Sequence, residues 1–140
     1  MDAGDGYRKL VEAVELRELA LIDLVHHRDV EVTPPLAVAH ELKTRLETIS
    51  ADKIAAIAEF VLRAKPQDGD NDQVSIRMTW RLVYVLNAGE GYEPSEDLGR
   101  QFVERNVPIN LWPYVRETVA TLTAKMGLMP LVLPTLKIIR

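Results

Sequence analysis

The chain has 140 residues, of which 47% are hydrophobic and 27% charged, and a formal net charge of −4. That is the size of one domain able to bury a core, and it excludes a disordered chain. An acidic balance without a Lys/Arg patch argues against a nucleic-acid partner. The lack of cysteine excludes disulfides, thiolate metal sites and cysteine nucleophiles, and fits a reducing cytoplasm.

Met1 to Gly6 reads as a loose, acidic, glycine-rich end, and no apolar run through Lys9 marks a secretory signal. No stretch is apolar enough over ~18 residues to span a membrane. Helix formers predict a short helix from about Tyr7 to Val14. From Leu16 the chain alternates, with Leu16, Glu18, Ala20, Ile22 and Leu24 against Arg17, Leu19, Leu21, Asp23 and Val25. Propensity would carry a helix to Val25, so the period alone leaves helix and strand both open. Thr33-Pro34-Pro35-Leu36, within 29–39, prevents helix and central strand alike and predicts an extended crossover loop. His40 to Ile49 alternates cleanly. Leu42, Thr44, Leu46 and Thr48 face one way and Glu41, Lys43, Arg45 and Glu47 the other, a strand with one wet face.

Ile54 to Lys65, led by Ser50-Ala51-Asp52-Lys53, fits a capped helix by composition, while Ile57, Phe60 and Val61 are also good strand residues. Pro66 to Asp72 is a turn. Val74, Ile76, Met78, Trp80, Leu82, Tyr84 and Leu86 then recur at strict period two, which no helix would present as one face. The opposite face of this strand turns apolar only at Val83 and Val85, and a strand dry on both sides predicts contact with another subunit.

Asn87 to Pro94 is a glycine-containing loop. Ser95 suits an N-cap, with Glu96 and Asp97 at the positive end of the dipole. The helix it opens should bury Leu98 and Phe102 and stop near Arg105, before Val107-Pro108. Asn110 suits a second N-cap, with Pro113 in the first turn. Leu111, Val115, Thr118, Val119, Leu122 and Met126 line one face of that second helix. Gly127 stops it, and Pro130 and Pro134 keep the tail extended.

Chemistry-bearing patterns are missing. His26 and His27 are adjacent and face opposite ways in a strand, and His40 has no acid at ligand spacing, so all three read as ordinary surface or edge histidines. No nucleophile elbow or P-loop occurs, and Gly89-Glu90-Gly91 is a loop rather than a dinucleotide fingerprint. Glu96-Asp97 reads as a pair of dipole partners. We therefore expect no enzyme, no metal and no cofactor. Apolar surface is plentiful instead. The stripe of Leu111, Val115, Val119 and Leu122 has a plain reading as core. Trp112, Tyr114, Met126, Leu128, Met129, Leu131 and Leu133, with Pro34, Pro35 and Leu36, exceed what one sheet face covers.

Trp112-Pro113-Tyr114-Val115-Arg116-Glu117, Lys125-Met126-Gly127 and Pro130-Leu131-Val132-Leu133-Pro134 together resemble the late segment of the SecB-like chaperones. That segment has an aromatic-and-proline helix start, then Tyr/Ala-Arg-Glu, a small-residue stop and a Pro-Leu-x-Leu tail. The resemblance covers roughly a quarter of the chain and elsewhere rests on element order. It implies that Leu16 to His26 and Ile54 to Lys65 are strands. The fold is then a single α+β domain over 1–140: a four-stranded antiparallel sheet with a long C-terminal amphipathic helix, assembling as a dimer of dimers.

The same resemblance implies a cytoplasmic, ATP-independent holdase for unfolded polypeptide. Its groove would be walled by Pro35, Leu36, Leu42, Leu46, Leu111, Trp112, Val115, Val119 and Met126. Subunit contacts fall to Val83, Val85, Leu98 and Phe102. Export members of the family hand clients to SecA through acidic sheet residues and a C-terminal tail. Asp23 matches one such acid, but Arg77 and Met78 stand where another is expected. The end of the chain, with Lys137 and Arg140, offers no acidic tail, so SecA binding should be weak or absent. A second branch guards an antitoxin. Its Tyr-Pro-Tyr-like and Leu-Pro-Pro-Leu-like runs are at least as close to Trp112-Pro113-Tyr114 and Leu128-Met129-Pro130-Leu131. The partner is thus an unfolded preprotein or an antitoxin. The competing class is an assembly module whose apolar strips serve only oligomerisation.

Overall fold

A computed structural model describes residues 3–87, 89 and 91–136. Met1 and Asp2 of the expected loose end, and Lys137 and Arg140 near the expected basic terminus, lie outside the described residues. The elements are α1 (Ala3–Ala13), β1 (Val14–Arg28), β2 (Leu36–Ile49), β3 (Lys53–Pro66), β4 (Val74–Leu86) and α2 (Glu96–Lys125). The first helix starts at Ala3, inside the stretch expected to be loose, and β2 begins at Leu36, inside the expected loop.

Both ambiguous segments are strands. β3 lies between β2 and β4 in a sheet of order β1-β4-β3-β2 whose pairs are all antiparallel. Ala55, Ala56 and Ala58 are fully buried there. A central place, with ladder bonds on both sides and buried neighbours, outweighs the small helix preference of alanine.

Two register shifts in β1, between Leu16 and Glu18 and between Leu21 and Asp23, overturn its simple alternation. Each extra residue reverses the parity of the strand beyond it. Leu16, Leu19, Leu21 and Leu24 therefore share a face, opposite Tyr84, Leu82, Trp80 and Met78. One shift in β2, between Leu46 and Thr48, has the same effect. It sends Thr48 to the face of Ala55 and brings Ile49 round beside Leu42 and Leu46.

The crossover from β1 to β2 runs from one sheet edge to the other and is tied down on the way. Asp29 N donates to Gln73 O (2.8 Å) and Gln67 N to Pro35 O (3.1 Å). Thr33 N donates to Gln73 Oε1 (2.8 Å). The Pro34–Pro35 peptide bond is cis.

The core lies on one side of the sheet. Phe60, Leu62, Ile76, Met78 and Leu82 meet Leu10 of α1 and Phe102, Val107, Leu111, Val115 and Val119 of α2. The other side carries Glu18, Asp23, Lys43, Arg45, Glu59, Arg63 and Arg77, a wet face in a two-layer fold.

The late helices are one helix. Ser95 caps it, its Oγ accepting from Leu98 N at 3.1 Å, and it continues through Pro108 and Pro113. Val107-Pro108 does not end it, and Asn110 is not a cap. Asn110 Oδ1 instead accepts from the Tyr84 hydroxyl at 2.8 Å. The reason is energetic. An interior proline costs about 3 kcal/mol, whereas each fully buried Val, Leu or Phe returns about 1.5–3 kcal/mol. Phe102, Val103, Val107, Leu111, Val115 and Val119 are all buried along this helix. Gly127, at φ +77°, closes it as expected. Leu128 N reaches Thr123 O (3.1 Å) and Gly127 N reaches Ala124 O (3.0 Å), a Schellman closure.

Candidate functional site

The site is the flank where α2 passes over the outer strand β2. β2 is an edge strand, so one side of its backbone has no strand partner among the described residues. Its inward side chains Leu42, Leu46 and Ile49 are half-buried and pack at the margin of the core. α2 comes close here: any Cβ at Gly99 would meet Ile49 Cδ1 at 2.5 Å. Between strand and helix lies an open trough of about 700 Å³, where Leu42, Leu46, Ile49 and Val103 alternate with polar and charged side chains of β2 (43–45, 47 and 48) and with Glu96, Arg100 and Glu104 of α2. Arg100 pairs with Glu96 at 2.6 Å one turn away. The trough thus has a mixed lining, with Leu42, Leu46, Ile49 and Val103 set among charged and polar side chains.

Further along α2 the flank becomes aromatic. His40, Phe60 and Trp112 cluster with ring centroids 5.7–6.1 Å apart. Trp112 is only 6% exposed, and its Nε1 donates to Pro134 O at 2.8 Å. The tail beyond Gly127 lies back against the helix, with Arg116 Nε donating to Leu133 O at 2.9 Å.

The expected groove residues divide. Pro35 is exposed, and Leu36, Leu42, Leu46 and Met126 are half-buried, within reach of a ligand. Leu111, Val115 and Val119 are fully buried against the sheet, so they hold the helix in place and do not wall a groove. An apolar stripe facing the sheet cannot also face a client.

The expected interface residues do not form one patch. Val83 and Val85 sit on the wet face of the sheet, beside Ala55 and Ile57. Leu98 and Phe102 belong to the helical layer on the other side. Phe102 is 1% exposed and packs edge-on to Tyr84 at 4.8 Å, which makes it a core residue of its own chain.

Ile49, Val103, His40, Arg116 and Thr123 also belong to the flank, and no sequence pattern marks them as such. Val103 lies within the helix expected from Glu96 to about Arg105, where only Leu98 and Phe102 stand out as buried. Ile49 is hidden by the bulge at Glu47, which alternation alone cannot show.

The raised groups are Tyr84, Tyr7 and Tyr92, each shifted chiefly by burial, and Arg81, raised chiefly by its hydrogen bond to Glu47 of β2. His27 Nε2 meets Asp29 Oδ1 at 2.7 Å. Among the described residues no three His, Asp or Glu side chains are placed to hold a metal ion, and no helix is long and apolar enough to cross a membrane.

An antiparallel sheet of order β1-β4-β3-β2 backed by one long C-terminal helix is the SecB-like fold. The chain is similar to the Rv1957 SecB-like chaperone of Mycobacterium tuberculosis, solved in complex with a ChAD peptide from the Rv1956 HigA1 antitoxin. The TM-score is 0.83 at 20% identity, over 97% of this chain and 99% of that one. A protein of unknown function from Streptococcus agalactiae aligns with TM-score 0.48 at 15% identity, over 87% of this chain and 97% of that one. No protein-family model and no curated protein matches the sequence.

Proposed function

We propose that the chain is a SecB-like holdase that captures unfolded polypeptide along the α2–β2 flank without nucleotide. The observation that supports this reading is the open trough, with Leu42, Leu46 and Ile49 in its lining, beside the edge strand β2. An extended client can add its backbone to that edge and drop alternate side chains onto Leu42, Leu46 and Ile49. Such binding needs apolar side chains but no fixed sequence, which suits unfolded clients. Each Leu-sized side chain buried adds about 1.5–3 kcal/mol before ordering costs. One flank therefore binds weakly, and repeated flanks on a dimer of dimers supply avidity along one client.

The neighbour's antitoxin peptide and the wet face of this sheet both favour antitoxin guarding over export. On that face Asp23 and Glu59 are interleaved with Lys43, Arg63 and Arg77, a mixed pattern ill-suited to docking SecA through acids. A SecA binding assay separates the two branches.

The test of the main reading is suppression of aggregation of a denatured reporter protein at stoichiometric chain and without nucleotide. We expect suppression by the wild type and its loss in folded Leu42→Asp. No suppression by the wild type would leave the assembly-module reading in its place.

A further inference from the structure

Residues 131–134 lie along α2 in the manner of a bound peptide. Leu131 N donates to Thr123 Oγ1 at 2.9 Å. The carbonyl of Leu133 accepts from Arg116 Nε at 2.9 Å, and that of Pro134 from Trp112 Nε1 at 2.8 Å. Tail numbers rise as helix numbers fall, so the segment runs antiparallel to α2. Its side chains alternate as a strand's do: Leu131 is half-buried, Val132 67% exposed and Leu133 2% exposed. Thr123 is itself buried and fixed by donating to Val119 O at 2.8 Å.

These contacts draw on backbone groups of the tail and on two leucines spaced two apart. Arg116 and Trp112 read carbonyls, which every peptide has. We infer that the stripe of Trp112, Arg116 and Thr123 is a binding site for an extended peptide of Leu-x-Leu type, occupied at rest by the chain's own tail and opened when a client strand displaces it. The inference deepens the proposed holdase reading and rests on it. Arg116 and Thr123 become peptide-binding residues that the groove of Leu42 and Leu46 does not include.

The seat is suited to exchange. The link between the Gly127 turn and Leu131 is short, and Met129 within it is 90% exposed. A short tether gives the tail a high effective concentration, so a free peptide competes poorly until the tail is released. The measured affinity then falls by the fraction of open sites.

The probe is a fluorescein-labelled synthetic peptide of residues 128–136, followed by anisotropy against the full chain. Leu133→Asp places a carboxylate at a buried position and should release the tail. Folded Leu133→Asp should bind the peptide about tenfold or more tighter than wild type. Adding Arg116→Met should remove most of that gain. Amide hydrogen exchange on the unmodified chain gives an independent reading if Leu133→Asp does not fold: saturating peptide should speed exchange at Leu131. Equal peptide affinity for wild type and folded Leu133→Asp, or unchanged Leu131 protection at millimolar peptide, would overturn the inference. Peptide binding without aggregation suppression would sink the holdase reading alone, and suppression without peptide binding would sink this site alone.

Discussion

Tyr84 joins the sheet to the middle of α2. Its hydroxyl donates to Asn110 Oδ1 at 2.8 Å, and its ring stands edge-on to Phe102. Burial pushes the hydroxyl pKa well above its ordinary value. Because the folded value is raised, this contribution to stability is fully present below about pH 10, the unfolded value, and is lost as pH rises through the folded one. Tyr84→Phe should cost about 1 kcal/mol at neutral pH, read by urea denaturation. It should also lessen the fall in stability above about pH 10. Tyr7 and Tyr92 shift the same way, so the alkaline fall shrinks rather than vanishes. An unchanged alkaline slope in the variant would refute the role given to Tyr84.

At the scale of elements, α2 shows burial overruling a local rule. Pro108 removes a ladder donor in mid-helix, yet Val107 and Leu111 on either side are fully buried on the sheet. Pro108→Ala should restore that donor and raise stability by roughly 1–2 kcal/mol, the helix gain less the entropy returned to the unfolded chain. A neutral or destabilising result would mean that two helices meet there. The same contest explains what could be read from sequence. β4 was legible because one buried face wrote a strict period of two over its whole length. β1 was not, since two bulges reverse parity within fifteen residues. β3 carries alanines that point to helix when taken locally, and only its place between two strands decides otherwise. At the flank, Pro35, Leu36 and Met126 stand out in the sequence as surplus apolar residues, whereas Leu42 and Leu46 enter only through the family resemblance. Leu111, Val115 and Val119 had a plain reading as core beside the groove reading, and periodicity could not choose between them because it defines a face without saying what it meets.

For the whole molecule, β1 and β2 are the outer strands of the sheet, with no further strand beside them among the described residues. β1 exposes Leu16, Leu21, Ile22 and Val25 along fifteen residues. An open edge of that length invites pairing, and a second copy is the economical partner. Light scattering should therefore report about four times the 15.8 kDa chain mass if the dimer-of-dimers assembly holds; a monomer would contradict it. The wet sheet face and the α2–β2 flank point in different directions, which allows the client-holding claim to be located as well as detected. The native chain has no cysteine, so single sites can be labelled cleanly. A benzophenone carried at Glu104→Cys, on the trough rim, should crosslink a denatured client on illumination, while one at Arg77→Cys, on the wet face, should not. Crosslinking from position 77 equal to or above that from position 104 would contradict capture along the flank.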